Sequence, residues 1–177
     1  MPPVVVDTSA LLAFFDASEP DHDAVLAVLA TADALVVSPY VVAELDYLVA
    51  TGPGVDDELT VLDELAGGAW DLAAFDDGGL RRARAIVDSD RDQAIGVADA
   101  SIVVLAERYR TRTIATLDRR HLDVLRLLDG GCTVRWRRDR QVPRHHVLRC
   151  AAPCACTGRR LLRARALGGI HSSGVAG

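Results

Sequence analysis

The sequence predicts an α/β fold in which a parallel sheet of four to five strands carries helices on both faces. Two observations lead to this prediction. Short apolar runs alternate, from Met1 to Gly131, with longer segments whose apolar residues recur at helical spacing. Half of the 177 residues are hydrophobic and a quarter are charged, which is typical of a globular chain that buries a sizeable core.

Capping and turn residues set the limits of the predicted elements. The polar residues 7–9 follow the first apolar run and are typical of a helix start. Pro20 and Pro39 favour helix starts because proline is tolerated in the first turn, and the Gly-rich segments 51–54 and 67–68 favour helix ends. The predicted strands are 2–6, 35–37, 70–72 and 113–116, and the predicted helices are 10–15, 20–29, 38–50, 55–66, 76–87, 97–109 and 118 to about 130.

Charge divides the chain into two unequal parts. Residues 1–129 contain 24 Asp and Glu and 10 Arg, a balance of −14, whereas residues 130–177 contain 10 Arg and one acid, a balance of +9. All four cysteines lie in the second part. Because affinity for phosphates normally comes from Lys and Arg, the acidic part is a poor passive binder of nucleic acid. A polyanionic substrate would therefore require cations in the site.

Targeting signals are not evident in the sequence. The longest apolar run, residues 10–15, is too short to cross a bilayer. The first six residues lack the positive segment and the long apolar segment of a secretory signal. We therefore expect a cytoplasmic protein without a membrane partner.

Four acidic residues occupy unusual positions. Asp7 and Asp118 each follow a predicted strand, at the carboxyl ends where ligands bind in parallel sheets. Glu44 and Asp99 fall within apolar stripes of predicted helices, where an unpaired acid is costly to bury. Their neighbours on those stripes are Val41, Leu45 and Leu48 for Glu44, and Ile102, Val103 and Ala106 for Asp99.

Each acid also has a structural interpretation. Asp7 and Asp118 could cap helices, Glu44 could extend to solvent, and Asp99 could interact with a helix dipole. If the four converge, their mutual repulsion calls for a cation. Carboxylate oxygens suit Mg²⁺ or Mn²⁺, which can activate water and stabilise displacement at phosphorus.

Four segments resemble, in order, the motifs of PIN-domain nucleases. They are VVVDTSALL at 4–12, SPYVVAEL at 38–45, GVADASI at 96–102 and TIATLDRRHL at 113–122, the last resembling the closing motif of the VapC toxin branch. The resemblance implies a PIN-like fold for residues 1–131. It also implies a Mg²⁺- or Mn²⁺-dependent endoribonuclease that is the toxin of a type II toxin–antitoxin pair. An RNA substrate, a cognate antitoxin and a homodimer follow from the same resemblance.

The resemblance also assigns roles to individual residues. The acids at its motif positions would be catalytic and would hold the metal, whereas neighbouring hydroxyls would orient Asp7 or a bound water, or support the fourth acid. The metal and catalytic residues would be Asp7, Glu44, Asp99 and Asp118, with Asp118 a ligand either directly or through water, and the supporting residues would be Thr8, Ser9 and Thr116. Two interpretations remain for the cluster that follows, which could contact RNA or only face solvent: Arg119, Arg120 and His121.

Two other functions fit parts of the sequence. A PIN fold without catalytic activity could serve as an RNA- or partner-binding module. A haloacid-dehalogenase-like phosphotransferase also places an aspartate after its first strand. Those enzymes usually carry a second aspartate where this chain has Ser9, and a lysine, which this chain lacks.

Residues 132–177 depart from the family pattern. They are rich in Arg, Cys and Ala without helical or strand periodicity, and we expect a largely irregular tail. A frame-shifted or read-through end, a basic RNA-binding arm and a zinc site are three interpretations. The zinc ligands would be His145, His146, Cys150, Cys154 and Cys156, whose spacing fits structural zinc poorly.

Overall fold

The computed structural model describes residues 2–93 and 95–118, and within them the chain forms a four-stranded parallel sheet. The strands pair in the order β3-β2-β1-β4, and Val5 at the centre of β1 lies opposite Val36 on one side and Ile114 on the other. The strands are β1 (Val4–Val6), β2 (Leu35–Val37), β3 (Trp70–Leu72) and β4 (Ile114–Ala115). The predicted parallel sheet and α/β class are confirmed.

Six α-helices connect these strands in the described residues. They are α1 (Thr8–Phe15), α2 (His22–Leu29), α3 (Pro39–Thr51), α4 (Val55–Ala66), α5 (Asp77–Ser89) and α6 (Val97–Arg108), with a 3₁₀ turn at Arg91–Gln93. All three residues of β1 are buried, although successive side chains of a strand point to opposite faces. Both faces of the sheet are therefore covered.

The strand order reverses direction beside β1. From β1 the chain moves to β2 and β3 on one side, and β4 then pairs with the opposite edge of β1. Ligands of parallel sheets bind where the order reverses in this way, outside the carboxyl ends of the strands. Residues that follow β1 and β4 are thus brought together at this edge.

Several element limits differ from the sequence prediction, among them those of β1, α2 and β4. β1 begins at Val4 because Pro2 and Pro3 have no N–H to donate, and the Val4 N–H bonds the Ala34 carbonyl at 2.9 Å. α2 begins at His22, two residues after Pro20. β4 spans only Ile114–Ala115, and a helix after residue 118 lies outside the described residues. In the part of the chain that the structure describes, no helix has the length and apolar character to cross a bilayer.

Candidate active site at the carboxyl edge of the sheet

Asp7 lies at the end of β1 and is 3% exposed. Its backbone N–H bonds the Ala115 carbonyl of β4 at 2.9 Å. Its Oδ2 accepts hydrogen bonds from Ser9 Oγ at 2.7 Å and from Thr116 Oγ1 at 2.6 Å. Asp7 occupies the N-cap position of α1, but its side chain makes no capping bond within the described residues. Its carboxylate is oriented by hydroxyl groups instead.

The two hydroxyl groups also hold the chain that follows β4. The Leu117 N–H donates to Ser9 Oγ at 2.9 Å, and the Asp118 N–H donates to Thr116 Oγ1 at 3.1 Å. Each hydroxyl therefore donates to Asp7 and accepts from a backbone amide. This arrangement links Asp7 to the segment that carries Asp118, although the two acids are far apart in sequence.

Glu44 lies on α3 and is exposed, so its predicted place within a buried stripe is wrong. The buried side of α3 consists of Val41, Leu45 and Val49, and Glu44 falls outside it. Its Oε2 accepts a hydrogen bond of 2.6 Å from Thr8 Oγ1. Thr8 therefore contacts Glu44, whereas Ser9 contacts Asp7.

Asp99 lies in the first turn of α6 and is half-buried. Its Oδ2 accepts a hydrogen bond of 2.8 Å from the Gly96 N–H. The helix dipole also favours a negative charge at this N-terminal position. Two residues later, Ser101 lies 2.6 Å from Ser38, which directly follows β2. The N-terminus of α6 therefore lies at the same edge of the sheet as the end of β2.

The acids at this edge offer carboxylate oxygens, the donors that Mg²⁺ and Mn²⁺ prefer. The chemistry of the donor set thus fits a hard divalent ion. As the side chains stand, the described residues contain no group of three His, Cys, Asp or Glu close enough to hold a metal.

Positive charge is confined to one part of the described chain. The segment from Met1 to Leu80 contains 16 Asp and Glu and no Arg or Lys, and the seven described arginines all lie between Arg81 and Arg112. Arg82 pairs with Glu107 at 2.6 Å. The Gly79 N–H lowers the pKa of Asp76, and the charge of Arg108, 3.5 Å away, acts in the same direction. These pairs involve acids other than the four candidates.

Ser38 and Ser101 are both fully buried at the site's edge, and neither was predicted as a site residue. A serine inside the apolar segment of α6 was the available signal for Ser101. Arg119, Arg120 and His121, the tail 132–177 and the proposed zinc ligands lie outside the described residues. Their predicted roles and the boundary at residue 131 stay predictions.

Comparisons with known proteins agree on one family. The PIN domain family model matches residues 4–127. Ribonuclease VapC26 of Mycobacterium tuberculosis strain H37Rv is 64% identical over 129 residues, which cover 72% of this chain and 96% of that protein.

Solved structures show the same fold. The crystal structure of Mycobacterium tuberculosis VapC20, a toxin that cleaves the Sarcin-Ricin loop, superposes with a TM-score of 0.64 at 14% identity, over 73% of this chain and 96% of that chain. The structure of VapBC2 from Rickettsia felis, bound to a promoter DNA fragment, has a TM-score of 0.55 at 17% identity, over 69% and 92% of the two chains. The chain therefore belongs to the PIN domain family, and within it to the VapC branch of ribonuclease toxins.

Proposed function

We propose that this protein is a Mg²⁺- or Mn²⁺-dependent endoribonuclease, the toxin of a type II toxin–antitoxin pair, whose active site is the carboxyl edge of the sheet. The observation that carries the proposal is the orientation of Asp7, a buried carboxylate held by two hydroxyl groups at the end of β1, beside β4. The 64% identity of the chain to Ribonuclease VapC26 supports the same activity.

Each candidate residue has a distinct role in this proposal. Asp7, Asp99, Glu44 and Asp118 would hold the divalent ion through their carboxylates. When bound, such an ion lowers the pKa of water and stabilises the charge that develops at phosphorus. Ser9 and Thr116 fix the rotamer of Asp7, and Thr8 draws Glu44 towards the start of α1. Because Glu44 is exposed, its side chain can rotate at little cost in packing.

Cleavage of total cellular RNA by the purified protein tests this proposal. With Mn²⁺ we expect products with 3′-hydroxyl and 5′-phosphate ends, as water attack gives. Asp7→Asn and Asp99→Asn should abolish the cuts. Asp63→Asn, on the exposed side of α4, is the matched control and should cleave like the parent protein. Equal cleavage by the parent and by both site variants would refute the assignment.

A binding module without catalytic activity is the second candidate function. In such a module the four acids would not bind a metal ion. A calorimetric titration with Mn²⁺ separates the two functions. The nuclease binds Mn²⁺ and loses that binding in Asp7→Asn, whereas a module that only binds RNA shows no dependence on Asp7.

Partners follow from membership in the toxin branch. We propose a cognate antitoxin with a basic segment, because the part of this chain from Met1 to Leu80 carries 16 acids without a cation. We also propose a homodimer. Light scattering of the purified protein at several concentrations measures its mass, and a monomer at all concentrations would contradict the dimer.

We propose a boundary near residue 131 between the nuclease domain and the basic tail. A protein that ends at Gly131 tests it in the same cleavage assay. An independent domain retains metal-dependent cleavage after truncation. Complete loss of folding on truncation would contradict the boundary.

A further inference from the structure

Ser38 and Ser101 form a buried hydroxyl pair that joins two elements of the site. Both residues are 0% exposed, and their Oγ atoms are 2.6 Å apart although 63 positions separate them in sequence. Buried hydroxyls are nearly always hydrogen-bonded, and this pair connects α3 with α6. Ser38 follows β2 and caps α3, and Ser101 lies two residues after Asp99.

The positions of the protons in this pair follow from its neighbours. Ser101 Oγ is 2.6 Å from Ser38 Oγ and also 2.6 Å from the Ala98 carbonyl oxygen. A hydroxyl has one proton, and a carbonyl can only accept. The proton of Ser101 is therefore shared between two acceptors, the Ala98 carbonyl oxygen and Ser38 Oγ. The Tyr40 N–H completes the chain by donating to Ser38 Oγ at 3.2 Å.

This chain of hydrogen bonds ends on the peptide unit of Asp99. The Ala98 carbonyl belongs to the peptide bond that continues into Asp99. At its other end, Ser38 follows Val37, which pairs with Val6 directly before Asp7. Two candidate metal ligands are thus joined through one pair of strand residues and one pair of hydroxyls.

We propose that Ser38 and Ser101 are positioning residues, which fix the first turn of α6 so that the Asp99 carboxylate keeps its place relative to Asp7. The inference rests on the proposed function, because it assigns both acids to one metal. Outer partners that orient metal ligands commonly change metal affinity about 10-fold or more when removed. A pair that served only the packing of the core would affect stability alone.

Calorimetric titration of the full chain with Mn²⁺ tests this inference. We expect Ser101→Ala to raise the dissociation constant for Mn²⁺ about 10-fold. Ser89→Ala is the matched control, because its hydroxyl also bonds the carbonyl three residues earlier but lies on the exposed end of α5. Its affinity for Mn²⁺ should equal that of the parent.

The double variant Ser38→Ala/Ser101→Ala separates positioning from packing. The double variant leaves no unpaired hydroxyl in the pair but also removes the cap of α3, so its thermal midpoint should fall below that of Ser101→Ala. Positioning predicts that its Mn²⁺ affinity stays about 10-fold weaker all the same. Cleavage by both variants should also require about 10-fold more Mn²⁺ for half of the maximal rate.

The outcomes distinguish this inference from the proposed function. Parent-like Mn²⁺ affinity in the single or the double variant, beside a parent that binds Mn²⁺, would overturn the positioning role and leave the nuclease proposal standing. A parent that binds no Mn²⁺ would refute the nuclease proposal and this inference with it.

Discussion

Replacing Thr116 with valine removes one of the two hydroxyls that hold Asp7 and keeps the shape of the side chain. Thr116 Oγ1 donates to the Asp7 carboxylate at 2.6 Å, in a site where Asp7 is 3% exposed. A hydrogen bond to a charged group contributes about 1.5–3 kcal/mol. We therefore expect Thr116→Val to lower the free energy of unfolding by about 2 kcal/mol. At this chain length the thermal midpoint would fall by about 4–8 °C.

Urea unfolding without divalent metal, followed by tryptophan fluorescence, measures this loss. Thr60→Val is the control, because its hydroxyl bonds only the Asp56 carbonyl on an exposed helix surface. Its effect should stay below about 0.5 kcal/mol. If the slope of the free energy of unfolding against urea concentration is the same for the parent and both variants, all three unfold from a similarly compact state.

A double-mutant cycle with Asp7→Asn assigns the loss to the carboxylate. Bonds to a charged acceptor are about twice as strong as bonds to a neutral one. The cost of Thr116→Val should therefore shrink by about 1 kcal/mol when residue 7 is asparagine. Costs that agree within about 0.3 kcal/mol in the two backgrounds would show that Thr116 stabilises the fold without acting on Asp7.

Two further predictions concern α4 and α5. Gly79→Ala should destabilise the protein by about 1–2 kcal/mol, because the added Cβ would lie 3.1 Å from the ring of Phe75. Gly78→Ala is the control, because its Cβ has room, and it should be neutral or stabilising. Thermal melting of both variants measures the difference, and equal midpoints would contradict the prediction. Burial and a hydrogen bond with Asp46 raise the pKa of Glu58 above 4.5, so the stabilisation from its proton is complete below about pH 4.5 and is lost as the pH rises through the raised pKa. Glu58→Gln should therefore gain stability relative to the parent between about pH 4 and pH 7, and a constant difference in thermal midpoint across that range would argue against the Asp46 contact.

Local patterns were sufficient to predict most elements of the fold. The runs at Val4–Val6 and Leu35–Val37 form strands, and Ser38 with Pro39 begins α3 as expected. These features depend on residues that are adjacent in the chain, such as a capping hydroxyl or a proline without an N–H. The limits of β1 and α2 were less accurate because they depend on which backbone groups find partners in other elements.

The environment of Glu44 shows where helical periodicity fails. A pattern of apolar residues defines a stripe on α3, but the neighbouring elements determine which part of it is buried. Leu48 lies on the expected stripe and is 39% exposed, and Glu44 is exposed beside it. The contact between Glu44 and Thr8 depends on how α3 packs against the start of α1.

The sequence by itself determined the chemistry of this protein: acidic residues at the ends of apolar strands, hydroxyls beside them and a segment from Met1 to Leu80 that carries acids without a cation. The tertiary structure decided which of these groups meet. Strand order brings the end of β4 to Asp7, so that Thr116 bonds a carboxylate 109 residues away. Packing of α6 likewise brings Ser101 to Ser38. Such contacts depend on distances between elements, and a pattern of neighbouring residues carries no information about them.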